Sequence, residues 1–171
     1  MLPASEALIA EIRAETPATR RVLERVPEDR LGWRPHPKSM SLGQLANQVA
    51  SIPGSIARLA RLDTFDAATV DFTPAPAASA AALLTTLDES VTGACELLAG
   101  LTAASASAPW RLTVGAREVF TMSRLGLMRT LALNHWYHHR GQLLVYLRLL
   151  DVPVPTVYGK TADENPLAAA N

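Results

Sequence analysis

The sequence predicts an all-α fold, a four-helix bundle, and three observations carry that reading. Hydrophobic residues make up 49% of the 171 positions while aromatic residues make up only 5%. Ala and Leu supply most of that apolar fraction, a bias that favours helix over strand. Four stretches repeat apolar residues at three- and four-residue spacing, the period of an amphipathic helix. The connections between them are rich in Pro and Gly, which interrupt helices.

The first helix is expected from about Ser5 to Val26. Leu8, Ile12, Thr19, Val22 and Val26 fall on one face, with Ile9 and Leu23 beside them. Ser5 suits the cap, and Pro17 should kink or interrupt the helix because it lacks a backbone donor. A loop follows to Met40, held extended by Pro35 and Pro37. Ser41-Leu-Gly-Gln44 has the spacing of a capping box and opens the second helix. Its stripe is Leu42, Leu45, Val49, Ile52, Ile56 and Leu59, with Pro53 expected to bend it. Residues 63–78, with Pro74 and Pro76, form a long connection, which suggests a crossover between the second and third helices. The third helix is expected over about Ser79–Leu98, with Leu84, Leu87, Val91, Cys95 and Leu98 as its stripe. Two short β-like runs flank Gly115-Ala116, the pattern of a small hairpin. The fourth helix spans about Ser123–Leu150, stopped by Asp151-Val-Pro-Val-Pro. No repeat or long linker divides the chain, so residues 1–171 are expected to form a single domain.

Composition also narrows the functional classes. Lys+Arg and Asp+Glu balance at 16 each, so no basic excess points to nucleic acid. The cluster Arg20, Arg21 and Arg25 shares its helix with Glu11, Glu15 and Glu24 and reads as a solvated face. No apolar run is long enough to span a bilayer. The single cysteine, Cys95, allows no internal disulfide and reads as a small core residue. With no leader pattern at Met1-Leu-Pro-Ala-Ser-Glu, a cytoplasmic location is expected. Phosphate-loop, Gly-x-Ser-x-Gly and Cys-x-x-Cys motifs are missing from the sequence.

The fourth helix carries the chemistry, in Asn134-His-Trp-Tyr-His-His-Arg-Gly-Gln-Leu143. At about 100° per residue, His135 and His139 share a face one turn apart. Met128, Leu131, Ala132, Leu143 and Tyr146 fall on the same side, so the imidazoles point inward. Such a pair fills two positions around zinc, nickel, copper or iron. The alternative from the same spacing is a pair of core histidines satisfied by hydrogen bonds. His138 lies near the edge of the stripe, as a surface residue or a partner of a ligand, and His36 lies in a loop between two prolines. The best-placed third donor is Gln48, on the flank of the second helix, although its amide oxygen is a weaker ligand than imidazole.

The run Asn134–Arg148, with Pro153-Val-Pro and Tyr158-Gly159, resembles the DinB-like superfamily, which is distinct from the DNA polymerase sharing that name. Trp33-Arg-Pro-His-Pro-Lys-Ser-Met-Ser-Leu-Gly-Gln-Leu-Ala resembles the segment leading into that family's second helix. The resemblance implies a bundle that binds a divalent metal, zinc, nickel or iron, through three histidines. Two map onto His135 and His139, and the third maps onto Gln48, where this chain departs from the family. It further implies a homodimer and a thiol-dependent transferase or isomerase that acts on a small-molecule substrate with a low-molecular-weight thiol. His138 or Tyr146 would then assist with protons. The departure at Gln48 favours a second reading: a non-enzymatic bundle that has lost its metal and binds a small ligand or a partner.

Overall fold

A computed structural model describes residues 2–167; Met1 and residues 168–171, part of the span expected as one domain, lie outside the described residues. The chain is mostly helical, with a small three-stranded sheet. Its elements are α1 (Pro3–Leu23), α2 (Leu42–Leu59), β1 (Thr64–Asp66), α3 (Ala80–Gly100), α4 (Ala103–Ser107), β2 (Pro109–Val114), β3 (Arg117–Ser123), α5 (Arg124–Leu127) and α6 (His135–Leu149). A π-helical stretch, Met128–Asn134, joins α5 to α6, so one helical rod runs from residue 124 to residue 149. The all-α expectation is therefore corrected: β2 and β3 form the expected hairpin, and β1 adds a parallel strand to it. A three-residue strand inside a Pro-rich connection is too short to carry its own alternation, so sequence spacing missed it. The hairpin turns on Gly115 at φ 59°, with Val114 paired to Arg117; positive φ at the first turn residue alone is the type II′ pattern. Asp66 then accepts from the Gly115 backbone N–H at 2.9 Å, fastening β1 to the turn.

The four long segments pack in a ring in which α3 touches α1 and α2, and α6 touches α2 and α1. Near the start of α2, Gly43 lies against Ala77, just ahead of α3, and Gly54 lies against Ser90 midway along α3. Hence α2 and α3 run parallel. The connection over residues 60–79 must return along the length of α2, about 27 Å for 18 residues. Trp136 meets Val49, and Tyr146 meets Met40, so α2 and α6 run antiparallel.

Local chemistry explains the element ends. Ser41 and Gln44 form the expected capping box, the Ser41 N–H donating to Gln44 Oε1 at 2.8 Å. Helix α1, by contrast, starts at Pro3, where a proline needs no N–H partner. Ser5 is thereby drawn inside the helix and fully buried, its hydroxyl unpartnered. The helix also continues through Pro17. On α3 the buried face is Leu83, Leu87, Ser90, Ala94, Leu97 and Leu98. Leu84, Val91 and Cys95 are only half-buried. Doubled leucines at 83–84 and 97–98 fit two stripes equally, and Ser90 decides between them. Its hydroxyl accepts from the Gly54 N–H at 2.8 Å, an inward role no apolar pattern could signal.

Candidate metal centre and its supports

Helix α6 presents three flanks. Trp136 and Leu143 lie at its centre, fully buried. Tyr137 and Arg140 lie on one side and meet α1: the Tyr137 hydroxyl donates to Glu11 at 2.8 Å, and Arg140 pairs with Glu15 at 2.7 Å. The opposite flank carries His135, His139 and Tyr146. Because the Tyr146 hydroxyl donates to the Met40 carbonyl at 3.3 Å, beside the start of α2, this flank faces the α2 side.

On that flank the two expected imidazoles meet. Nε2 of His139 lies 2.7 Å from Nε2 of His135, with ring centroids 4.5 Å apart. Nδ1 of His139 lies 2.7 Å from Oε1 of Gln142, one turn further on. His135 follows directly on the π-helical stretch, which contains Leu131. The π stretch departs from the α ladder directly before His135, and such departures recur at functional sites. His139 is only 9% exposed. Burial holds both rings below the ordinary histidine pKa. His135 is lowered further by the neighbouring His139 and His138, and the Leu131 contact opposes that shift. For His139, the Gln142 contact opposes and His138 adds to the lowering. Both rings are therefore neutral at physiological pH, the form that ligates a metal.

Gln48 lies half-buried on α2, one residue before Val49. Two anchors fix its level: Trp136 against Val49 and Tyr146 against Met40. Val49, the next residue, thus meets Trp136, the residue after His135. Among the described residues no group of three or more His, Cys, Asp or Glu is arranged to hold a metal ion.

The remaining expectations separate. His138 is exposed, its ring 5.0 Å from that of His139. His36 is exposed, and its Nδ1 accepts from the Lys38 N–H at 3.1 Å, closing its own turn. Tyr146 stacks edge-on against Trp33 at 5.6 Å, which makes it an anchor for the loop before α2. Cys95 lines a cavity of about 500 Å³ between α1 and α3, together with Glu6, Ile9, Arg13 and Glu96. Burial pushes its thiol pKa up, so it is not a ready thiolate.

Sequence reasoning missed Arg140. It is 2% exposed, bonded to Thr19 at 2.9 Å and to Tyr158, and both the Tyr137 and the Tyr158 rings lie 5.2 Å from its guanidinium carbon. Its place in the His-His-Arg run was the available signal. The C-terminal segment follows it across the surface: Arg148 holds Asp163, and Arg21 holds Glu164.

Solved structures share this fold, among them the following three. A DinB-like protein from Bacillus subtilis is 17% identical over 88% of this chain and 96% of its own, with a TM-score of 0.64. A DinB-family protein from Exiguobacterium sibiricum is 23% identical over 91% and 97%, with a TM-score of 0.66. A DinB-like protein from Bacillus cereus is 25% identical over 90% and 97%, with a TM-score of 0.65. No curated protein matches the chain. The model of the DinB superfamily matches residues 11–143, most of the chain and all of the histidine pair's setting up to Leu143, so this protein belongs to the DinB superfamily.

Proposed function

We propose that this four-helix bundle holds a divalent metal at His135 and His139, with Gln48 as third donor, and serves a thiol-dependent transfer reaction. The observation that carries the reading is the approach of the two Nε2 atoms to 2.7 Å, with Nδ1 of His139 held by Gln142. Two imidazole nitrogens that converge from one rigid helix need part only slightly to take a shared cation, since nitrogens about 2.0–2.1 Å from a zinc ion stand further apart than a hydrogen-bonded pair. The donor chemistry suits zinc, nickel or iron. A metal bound there supplies Lewis acidity that lowers the pKa of a low-molecular-weight thiol. The residues' own part is to hold neutral imidazoles in a half-sheltered site and to leave positions open. With no carboxylate in the donor set, the protein adds no negative charge, which favours an anionic partner such as a thiolate. The family's dimeric habit belongs to the same proposal.

The test is metal content and affinity of untagged protein. Zinc or nickel should bind at about one equivalent per chain, His139→Ala should abolish binding, and Gln48→His should tighten it. Loaded protein should then conjugate a thiol to an electrophile from a mixed panel. Absence of metal uptake by the native chain overturns the reading.

A second reading rests on Gln48 and on the lack of a three-member His, Cys, Asp or Glu group among the described residues. In it the bundle is not an enzyme, and the histidines line a polar pocket for a small ligand or partner. His135→Ala then lowers the melting temperature while a chelator leaves it unchanged. A drop in melting temperature on chelation overturns this second reading.

A further inference from the structure

Most of the charge on helix α1 is engaged within the chain. Glu11 meets Tyr137 and Arg129, Glu15 meets Arg140, Arg20 meets Asp88, and Arg21 meets Glu164. Glu6 and Arg13 are the exceptions. Among the described residues neither enters an ion pair, and nor does Glu96 on α3. All three are exposed, and all three line the cavity of about 500 Å³ between α1 and α3.

The groove has a polarity along its length. Arg20 pairs with Asp88 while residues 6–13 face residues 91–99, so α1 and α3 run antiparallel here. Glu6 and Arg13 are seven residues apart, which places them on one side of α1 and about 10 Å apart along its axis. Antiparallel order sets Glu96 toward the Glu6 end. Between the two charges α1 offers Ile9, largely buried, and Ala10, exposed, while α3 offers Cys95 and Ala99. Side chains as small as Ala10 and Ala99 let a further helix approach closely.

A complementary occupant is apolar in its middle, with a cation at one end and an anion at the other, about 10 Å apart. Helix α1 of a second copy has that form. Laid antiparallel across a twofold axis between Ile9 and Ala10, it sets the partner's Arg13 against Glu6 and the partner's Glu6 against Arg13. A twofold interface demands this self-complementarity, because a contact from one residue to another implies its converse.

We infer that the groove between α1 and α3 is an isologous interface, filled by α1 of a second copy of this chain. The partner's Arg13 stands at the end that carries Glu6 and Glu96, its methylene stem lying along the apolar floor. The inference gives a surface to the dimer proposed above and rests on that dimer, not on the metal.

The test is charge exchange in untagged full-length protein, followed by sedimentation equilibrium in the micromolar range and by native mass spectrometry. The native chain should be a dimer. Arg13→Glu makes both ends of the groove acidic, and Glu6→Arg/Glu96→Arg makes both ends basic. Each variant alone should dissociate about tenfold or more readily, because like charges then oppose across the axis. Mixed, the two variants should form a one-to-one heterodimer of near-native affinity, since every facing pair is again of opposite sign. The substitutions are at exposed positions, so melting curves by circular dichroism should match the native one and show that both variants are folded. A variant that dimerises as tightly as the native chain places the contact elsewhere and overturns the inference, leaving the dimer itself standing. Folded variants that stay apart when mixed overturn it as well. A monomeric native chain fails the dimer reading and this inference together.

Discussion

Pro53 and Trp136 form a pair whose energetics can be worked out before measurement. Proline at position 53 has no N–H, so the Val49 carbonyl, one turn earlier in α2, loses its helical partner. Trp136 supplies the replacement from α6, its Nε1–H donating to that carbonyl at 2.7 Å, and the indole is fully buried. Trp136→Phe deletes the donor and strands the carbonyl, which costs about 1–3 kcal/mol. It also removes three buried ring atoms, roughly 2 kcal/mol of packing at about 0.8 kcal/mol per methylene-sized group. The expected loss is about 3–5 kcal/mol, or a melting temperature lower by roughly 10 °C for a chain of this size. Pro53→Ala restores a backbone donor to Val49. The double variant should therefore recover the carbonyl contribution, about 1–3 kcal/mol, and retain the packing loss. Urea unfolding of the four-member cycle, followed by circular dichroism, measures the coupling. A coupling below about 0.5 kcal/mol refutes the reasoning, because such values are those of independent sites.

Three further expectations follow from the same structure. Arg140→Met leaves the Glu15 carboxylate without its buried partner and should cost about 3–5 kcal/mol by urea unfolding, with much of the loss restored in Arg140→Met/Glu15→Gln. Equal instability of the double variant refutes the ion-pair account. Gly54→Ala places a Cβ 2.7 Å from the Ser90 Cα, a backbone atom that cannot swing away, so α2 and α3 must separate at about 1–3 kcal/mol; a melting temperature equal to that of the native protein overturns the close-packing claim. Asp163 titrates below its usual range because Arg148 and the Val154 N–H bond it, and Glu164 does so because the Thr156 N–H and Arg21 bond it. Depressed carboxyl values contribute stability above the unfolded pKa, about 4, that is lost as pH falls through the folded values. Proteolysis of the segment over residues 151–164 should therefore accelerate on acidification below about pH 4, and Asp163→Asn should reproduce part of that at neutral pH. A cleavage rate independent of pH refutes the tethering of this segment by Arg148 and Arg21.

The bundle's helices were legible because their buried faces repeat every three to four residues, and the Ser41–Gln44 cap was legible because its chemistry is local. What escaped depends on distant partners. Ser90 is inward because it serves the Gly54 N–H on another helix, so the stripe of α3 was drawn one position late. The strand β1 exists because β2 offers it a parallel edge, and three residues carry no pattern alone. The histidine pair was legible from spacing, since four residues on a helix determine their own juxtaposition. Arg140 was not, because a lone arginine beside two histidines acquires meaning only when Glu15, Thr19 and Tyr158 close around it. The π stretch before His135 was likewise invisible, as nothing local in Met128–Asn134 distinguishes it from an α-helix.

These supports act together on the proposed metal centre. Trp136 fixes α6 against α2, and Arg140 fixes it against α1, on flanks separated by about 40° of helix rotation. A helix held by a buried hydrogen bond on one neighbour and a buried ion pair on the other has little freedom to rotate without breaking one of them. His135 and His139 are carried on the same segment, so the contacts of Trp136 and Arg140 fix which way the converged pair faces. Gln48 on α2 takes no part in those contacts. The scaffold thus keeps the two proposed ligands aligned whatever stands at position 48. A single substitution there should change metal affinity without changing the fold, whereas disrupting Trp136 or Arg140 should weaken both together.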